Sequence, residues 1–265
     1  MLTDHLPVAL KRDDLIAELL SLYNQLGQPE KAQALLLAHV FHPWEGGEGK
    51  VTAQYVIAQL RHAHQQLTSG QPRAAMESLQ QALHYPLNLG EGRLVGQTDN
   101  DIYFWLGISA AHLGEDRQAQ QYFQRAAQGN GELNESRYYN DQPVDYLFYQ
   151  GAALQRLGQL QQAREIFSRM LAWSTSAIDQ PVQEDFFAVS LPDLIVLDSD
   201  PQQNHQQHCL FVSALAYLGL GDSVRWQQQS GALLARNPNH DKAQIFSVLA
   251  DMLTNEMQDC SPSHR

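Results

Sequence analysis

A short phrase occurs twice in this sequence, and its spacing constrains the fold more than any other feature. Residues 43–50 begin with proline and end in Gly-Glu-Gly-Lys, and residues 86–93 begin with proline and end in Gly-Glu-Gly-Arg. The two phrases are displaced by 43 positions. Self-similarity at a fixed period is typical of repeat proteins, in which each unit stacks on its neighbours instead of closing a core of its own.

Glycine-containing turns between helical patterns follow a similar period. Their glycines are 43, 44, 44 and 63 positions apart, at Gly27, Gly70, Gly114, Gly158 and Gly221. In the first four units a small residue follows the glycine by five positions and a large apolar residue follows it by nine: Ala32 and Leu36, Ala75 and Leu79, Ala119 and Phe123, Ala163 and Phe167. Small and large side chains one turn apart let two antiparallel helices approach closely. The pattern therefore predicts helical hairpins.

These units resemble tetratricopeptide repeats, and the third unit matches that pattern best, with Tyr103, Leu106, Gly107, Ala119, Phe123 and Ala126. The fifth unit departs from it, because Trp226 stands at the small position. The resemblance implies an all-α fold, a tetratricopeptide-like right-handed superhelix or α-solenoid. The period exceeds the ~34 residues of that family by about nine or ten, so we expect long inter-repeat loops. In a solenoid such loops collect on one edge or face, which is often the binding side.

We expect residues 1–265 to form a single helical-repeat domain. The predicted units span about 12–44, 52–87, 99–131, 144–175 and 205–238. An insertion at 174–207 separates the last two units. It contains apolar runs that are too hydrophobic for a free linker, so we expect it to pack onto the array. Residues 241–257 predict a terminal helix that covers the end of the array.

A narrower resemblance is carried by residues 41–50, 88–93 and 185–193. Their wording is similar to the C-terminal region of a bacterial family of long, uncharacterised tetratricopeptide proteins. In that family a mutarotase-like β-sandwich precedes the helices. The resemblance covers nearly the whole chain, and it implies that an N-terminal domain of a longer chain accompanies these helices. A sugar-related role is implied by the resemblance alone.

Composition excludes several classes of partner. Only 17 lysines and arginines stand against 29 acidic residues, which gives a formal charge of −12, so we expect no nucleic acid and no anionic membrane as a partner. No stretch approaches the ~18 consecutive apolar residues of a membrane helix. Cys209 and Cys260 are too far apart for a disulfide framework or a CxxC zinc site, and a cytoplasmic location is expected.

The repeated loops supply most of the candidate binding residues. Glycine on both sides of Glu48 and Glu91 frees the backbone and lets a ligand approach, and a pair of carboxylates could act as acid and base on a sugar. The alternative is a helix-ending turn with an ordering ion pair to a neighbouring cation. Aromatic residues in a later loop could stack on a sugar ring or anchor a peptide. The candidates are Trp44, Glu45, Glu48, Lys50, Glu91, Arg93, Tyr138 and Tyr139.

Other chemistries lack the residues that they need. The first Gly-Glu-Gly loop is no P-loop, because Trp44 stands where the first glycine belongs and Val51 follows the lysine. His205 and His208 share a helical face, but no third ligand accompanies them, so we expect no metal site. No nucleophile–base arrangement can be inferred. We therefore expect no cofactor and name no catalytic residue.

Two functions remain open at this point. The first is a non-enzymatic tetratricopeptide-like binding or scaffold module that engages a protein or peptide partner, for which a basic or extended peptide would suit an acidic groove. The alternative is a helical region of a carbohydrate-active protein, whose Gly-Glu-Gly loops contribute to a sugar site shared with a β-sandwich domain. The chain by itself is expected not to be an enzyme.

Overall fold

A computed structural model describes residues 5–129, 131–133, 142–182 and 200–258. Within these ranges every regular element is helical, and no strand occurs. The all-α class is therefore confirmed for the part of the chain that is described. The α-helices are α1 (Leu6–Ala9), α2 (Asp13–Gln25), α3 (Pro29–Ala38), α4 (Lys50–Thr68), α5 (Pro72–Ala82), α6 (Asn100–His112), α7 (Asp116–Ala126), α8 (Val144–Arg156), α9 (Leu160–Ala177), α10 (Pro201–Gly219), α11 (Ser223–Arg236) and α12 (Asp241–Gln258).

Five turns between consecutive helices share one backbone geometry. Their glycines have φ between 68° and 77°, a left-handed conformation that side chains other than hydrogen rarely tolerate. The residue after each glycine donates its N–H to the carbonyl five positions earlier, at 2.8–2.9 Å. This bond belongs to the Schellman motif, which ends a helix and reverses the chain. The five turns follow α2, α4, α6, α8 and α10, at the glycines that the sequence singled out.

The large residues of the third and fourth units each pack against a glycine of the preceding helix. Phe123 and Phe167 are buried, and a Cβ atom placed on Gly107 or Gly151 would lie 2.5 Å from the corresponding ring. Each glycine precedes its phenylalanine by 16 positions, so the same contact recurs in two successive units. Glycine is needed here because the ring occupies the space that a side chain would fill.

Helix starts are set by proline and aspartate. Pro29 and Pro72 begin α3 and α5, where the missing N–H leaves no bond unmade. The carboxylates of Asp200 and Asp222 accept backbone N–H groups in the first turns of α10 and α11.

The helices reach further into the predicted insertion than expected, since α9 continues to Ala177 and α10 already begins at Pro201. Within the insertion, the Gln202 side-chain amide donates to the Gln180 carbonyl at 3.1 Å. The apolar runs at 186–197 lie outside the described residues. Trp226, which departs from the repeat pattern, is buried in α11.

The described residues divide into two compact units. The first runs up to Gln97 and includes Ser109–Ala119, and its core cluster contains Ile16, Leu20, Leu36 and Leu89. The second comprises Thr98–Ile108 and the residues from Gln120 onward. Its largest fully buried side chains are Phe104, Trp105, Phe148 and Phe167. None of the described helices has both the length and the hydropathy to cross a membrane.

Candidate functional site

The two repeated loops of the first unit lie against each other. The Phe41 N–H donates to the Asn88 carbonyl at 2.8 Å. The Asn88 side-chain amide donates to the carbonyls of Leu36 and His39, both at 2.7 Å, and so satisfies the end of α3. A Cβ atom on Gly90 would lie 2.6 Å from the Phe41 oxygen. The second loop therefore completes a helix end of the preceding hairpin.

Glu91 has a structural partner in this arrangement. Its Oε2 accepts the Gly49 N–H at 2.9 Å and lies 3.5 Å from the Thr52 hydroxyl. Gly49 immediately precedes α4, with φ of 75°. A carboxylate at a helix N-terminus satisfies an N–H group and interacts favourably with the helix dipole. Glu91 thus caps α4 from a loop 42 positions away in sequence.

The remaining loop candidates have varied surroundings. The Trp44 ring lies over Gly47 and packs against the core cluster of the first unit. Arg93 donates to the Ala82 carbonyl at 3.3 Å, and its guanidinium lies 5.3 Å from the centre of the Tyr85 ring. Glu45 is exposed and Glu48 is half-buried. Lys50 is the first residue of α4. Tyr138 and Tyr139 lie outside the described residues.

A second set of polar residues, in the second unit, was not among the candidates expected from the sequence. The segment Asp-x-x-Phe-(Trp/Tyr)-x-Gly occurs at residues 101–107 and again at 145–151, displaced by 44 positions. Asp101 and Asp145 are therefore the second residues of α6 and α8. Each is only 7% exposed. The repetition of this phrase was the signal available in the sequence. Buried carboxylates at equivalent positions are notable because aspartate is seldom buried for packing alone.

Asp99, Asp101 and Asp145, which we call the acidic cluster, interact through their charges. Burial, the charge of Asp145 and, to a smaller extent, the charge of Asp99 together raise the pKa of Asp101 to about 7, although the Ile102 N–H and Lys242 oppose the shift. The Ile102 N–H donates to the Asp101 carboxylate at 2.8 Å. Near neutral pH, Asp101 is therefore divided between its charged and neutral forms.

Lys242, at the start of α12, supplies the opposite charge. Its ammonium group donates to the Asp145 carboxylate. His240, which immediately precedes α12, accepts the Ala243 N–H through Nδ1 at 3.2 Å. This bond closes the first turn of α12. Burial is the main cause of the lowered pKa of His240, and a neutral ring is the form that can accept this bond. The cluster therefore holds the first turn of α12 by charge.

Aromatic rings surround the polar groups. Tyr149 is buried, and burial followed by the Asp101 charge raises the pKa of its phenol well above the ordinary value. Phe246 of α12 has its ring centre 5.8 Å from those of Tyr149 and Phe211, and 5.4 Å from that of Phe148. At such separations aromatic pairs attract beyond simple area burial. The site therefore combines an ion pair with a cluster of aromatic rings.

The histidine pair considered for metal binding has other contacts. His205 Nε2 lies 2.7 Å from the Ala177 carbonyl oxygen and 3.7 Å from the Cys209 sulfur. The His208 ring meets the Trp173 ring edge-on, with centres 5.7 Å apart. Across the described ranges, no group of three or more histidine, cysteine or carboxylate side chains is arranged to hold a metal ion.

Comparison with known proteins does not add to these assignments. No family model matches the chain, and no solved structure matches it. The loops of the first unit and the acidic cluster of the second are therefore interpreted from their own geometry.

Proposed function

We propose that this chain is a non-enzymatic binding module of tetratricopeptide-like repeats, and that its partner is a protein or peptide presenting a basic side chain. The observation that carries the proposal is the acidic cluster with Lys242 bound to it. Asp101 and Asp145 are at equivalent positions in the first helices of two successive hairpins, α6 and α8. The repeat therefore generates this pair of carboxylates. A lysine followed one turn later by an aromatic ring lies beside this pair within the chain.

The charge balance at the cluster supports a cationic ligand. Among the described residues, Asp145 is paired with Lys242, and the pKa of Asp101 is raised by its burial and by the charges of Asp145 and Asp99. A second positive charge would relieve this repulsion, because opposite charges stabilise the ionised form of a buried acid. The overall charge of −12 favours approach of a basic partner.

The carbohydrate alternative has weaker support. It needs two carboxylates of the repeated loops to flank a bound sugar. Glu91 has a structural role as the cap of α4. Trp44, which could stack on a sugar ring, packs on the core cluster and on Gly47. This leaves Glu45 and Glu48 from one loop as the remaining pair for such a site.

The test is a thermal-shift and calorimetry comparison at pH 8. The probes are helical peptides of about 18 residues with lysine four positions before phenylalanine, matched peptides with glutamate in place of the lysine, and neutral oligosaccharides. We expect the lysine peptides to raise Tm and to bind more weakly to Asp101→Asn. If oligosaccharides raise Tm, the peptides do not, and the shift vanishes in a Trp44→Ala, Glu48→Gln double variant, the carbohydrate function replaces this proposal.

A further inference from the structure

The terminal helix α12 contacts α8 near both of its ends. Lys242, in its first turn, meets Asp145 in the first turn of α8. At the far end, the Arg156 guanidinium donates to the Glu256 carbonyl at 2.7 Å and lies 3.4 Å from the Glu256 carboxylate. Because start meets start and end meets end, the two helices run in the same direction.

Between these polar contacts, α12 lies on a surface that the repeat builds twice. The Phe246 ring contacts Phe148 of α8 and Phe211 of α10. Each of these two phenylalanines stands ten positions before the glycine of its own turn. They are therefore equivalent residues of successive units, and α12 lies across the same face of both first helices. We call this surface, formed by Asp145, Phe148, Arg156 and Phe211, the helix-binding groove.

The buried apolar residues of α12 lie on one face of the helix. The buried apolar residues recur every three or four positions, at Ala243, Phe246, Leu249, Ala250, Leu253 and Met257. On the opposite side, Val248 is 69% exposed. A single-sided apolar stripe is the form in which helical peptides enter hydrophobic grooves of other proteins. The hairpin helices differ from α12, since each of them has a partner across a glycine turn, whereas the four residues 237–240 join α12 to α11.

We infer that α12 occupies, within the chain, a groove that receives an amphipathic helix of a partner protein, and that α12 is displaced when the partner binds. The inference rests on the proposed binding function and names the ligand and its regulation. The partner helix carries a lysine near its start, a phenylalanine four positions later and an acid about fourteen positions after the lysine, as Lys242, Phe246 and Glu256 do. Charge complementarity to Asp145 and Arg156 fixes its direction.

Tethering gives α12 an advantage that a partner must overcome. A segment joined by a short linker competes at an effective concentration on the order of millimolar. Weakening α12 should therefore increase the apparent affinity for an added helix, while a change on its exposed side should not. The Lys242 side chain is 40% exposed, so its ion pair is accessible to solvent and to a competing cation.

The first experiment uses the full chain and a fluorescent peptide with the sequence of residues 240–258. Anisotropy titrations compare wild type with Phe246→Ala, Lys242→Glu and, as a control on the exposed face, Val248→Ala. We expect the peptide to bind Phe246→Ala and Lys242→Glu at least tenfold more tightly than wild type or Val248→Ala. A peptide carrying the Lys242→Glu and Phe246→Ala changes should not bind. Equal affinity for all four proteins would overturn the inference.

The second experiment separates this inference from the function on which it rests. Hydrogen exchange of wild type should show α12 opening more often than α8 and α10, and further deprotection of α12 when a lysine–phenylalanine peptide is added. Peptide binding with α12 still protected would overturn the displacement and leave the binding function standing. No binding of any peptide would overturn both. If wild type binds no probe and is a dimer, the groove takes α12 of a second copy and the partner assignment fails.

Discussion

Replacing Asp101 with asparagine removes one carboxylate of the acidic cluster and keeps its shape. The pKa of Asp101 is raised from its ordinary value of 3.8 to about 7, first by burial and then by the charge of Asp145. Asparagine is neutral at every pH and has nearly the same volume. The variant therefore isolates the free energy that the folded protein loses by ionising this side chain.

The magnitude follows from linkage. Between pH 3.8 and 7 the folded state retains a proton that the unfolded state has released, so stability is highest below this range and falls as the pH rises through it. With about 1.36 kcal/mol per pKa unit, the loss is about 2 kcal/mol at pH 5 and about 4 kcal/mol at pH 8. Asp101→Asn should escape this loss, so its advantage over wild type should grow by about 2 kcal/mol between the two pH values.

The assay is equilibrium unfolding in urea, followed by circular dichroism at 222 nm, at several pH values from 5 to 8. Asp251→Asn, which neutralises an exposed carboxylate on α12, is the matched control and should follow wild type closely. If wild type and Asp101→Asn give parallel curves of stability against pH, Asp101 does not carry the raised pKa and the electrostatic reasoning for the cluster is refuted.

Two further predictions concern the two repeated loops of the first unit. Glu91→Gln should lower the free energy of unfolding by about 1 kcal/mol, because a neutral amide caps α4 less well than a carboxylate, whereas Glu45→Gln on the exposed part of the first loop should have no measurable effect in the same urea titration. Gly90→Ala should lower Tm by several degrees, because its Cβ would clash with the Phe41 oxygen and because φ is 78°. Gly92→Ala, whose Cβ would meet no atom of the described residues within 4 Å apart from its chain neighbours, should leave Tm nearly unchanged, and equal shifts in the two variants would contradict the close approach at Gly90.

Local sequence patterns were sufficient to predict the helical hairpins. Gly27 and its counterparts lie at the turns because a left-handed residue is needed there, and a period of 43 or 44 residues marks each recurrence. Phe123 and Phe167 could be assigned to the core because a small residue stands one turn before each of them. Such features depend on neighbours in sequence, and sequence patterns report them directly.

The role of Glu91 could not be obtained in the same way. A glutamate between two glycines is equally compatible with binding, catalysis and capping, and the choice depends on which helix end lies opposite. That helix end, at Gly49, is 42 positions away. The contacts between α12 and α8 are of the same kind, because Lys242 and Asp145 are 97 positions apart. The acidic cluster differs, since its repeated phrase was visible in the sequence and only its burial was not.

The contacts of the second repeated loop with the first hairpin and with α4 also set an order for folding during synthesis. The end of α3 is satisfied by Asn88, and the start of α4 is capped by Glu91, so all three bonds come from residues made after these helices. A chain emerging from the ribosome cannot complete the end of α3 until residue 88 has appeared, and it cannot cap α4 until residue 91 has appeared. Until residue 88 appears, the carbonyl groups of Leu36 and His39 must bond to water. In this unit the later repeat closes the earlier one, and stability is acquired from the direction opposite to translation.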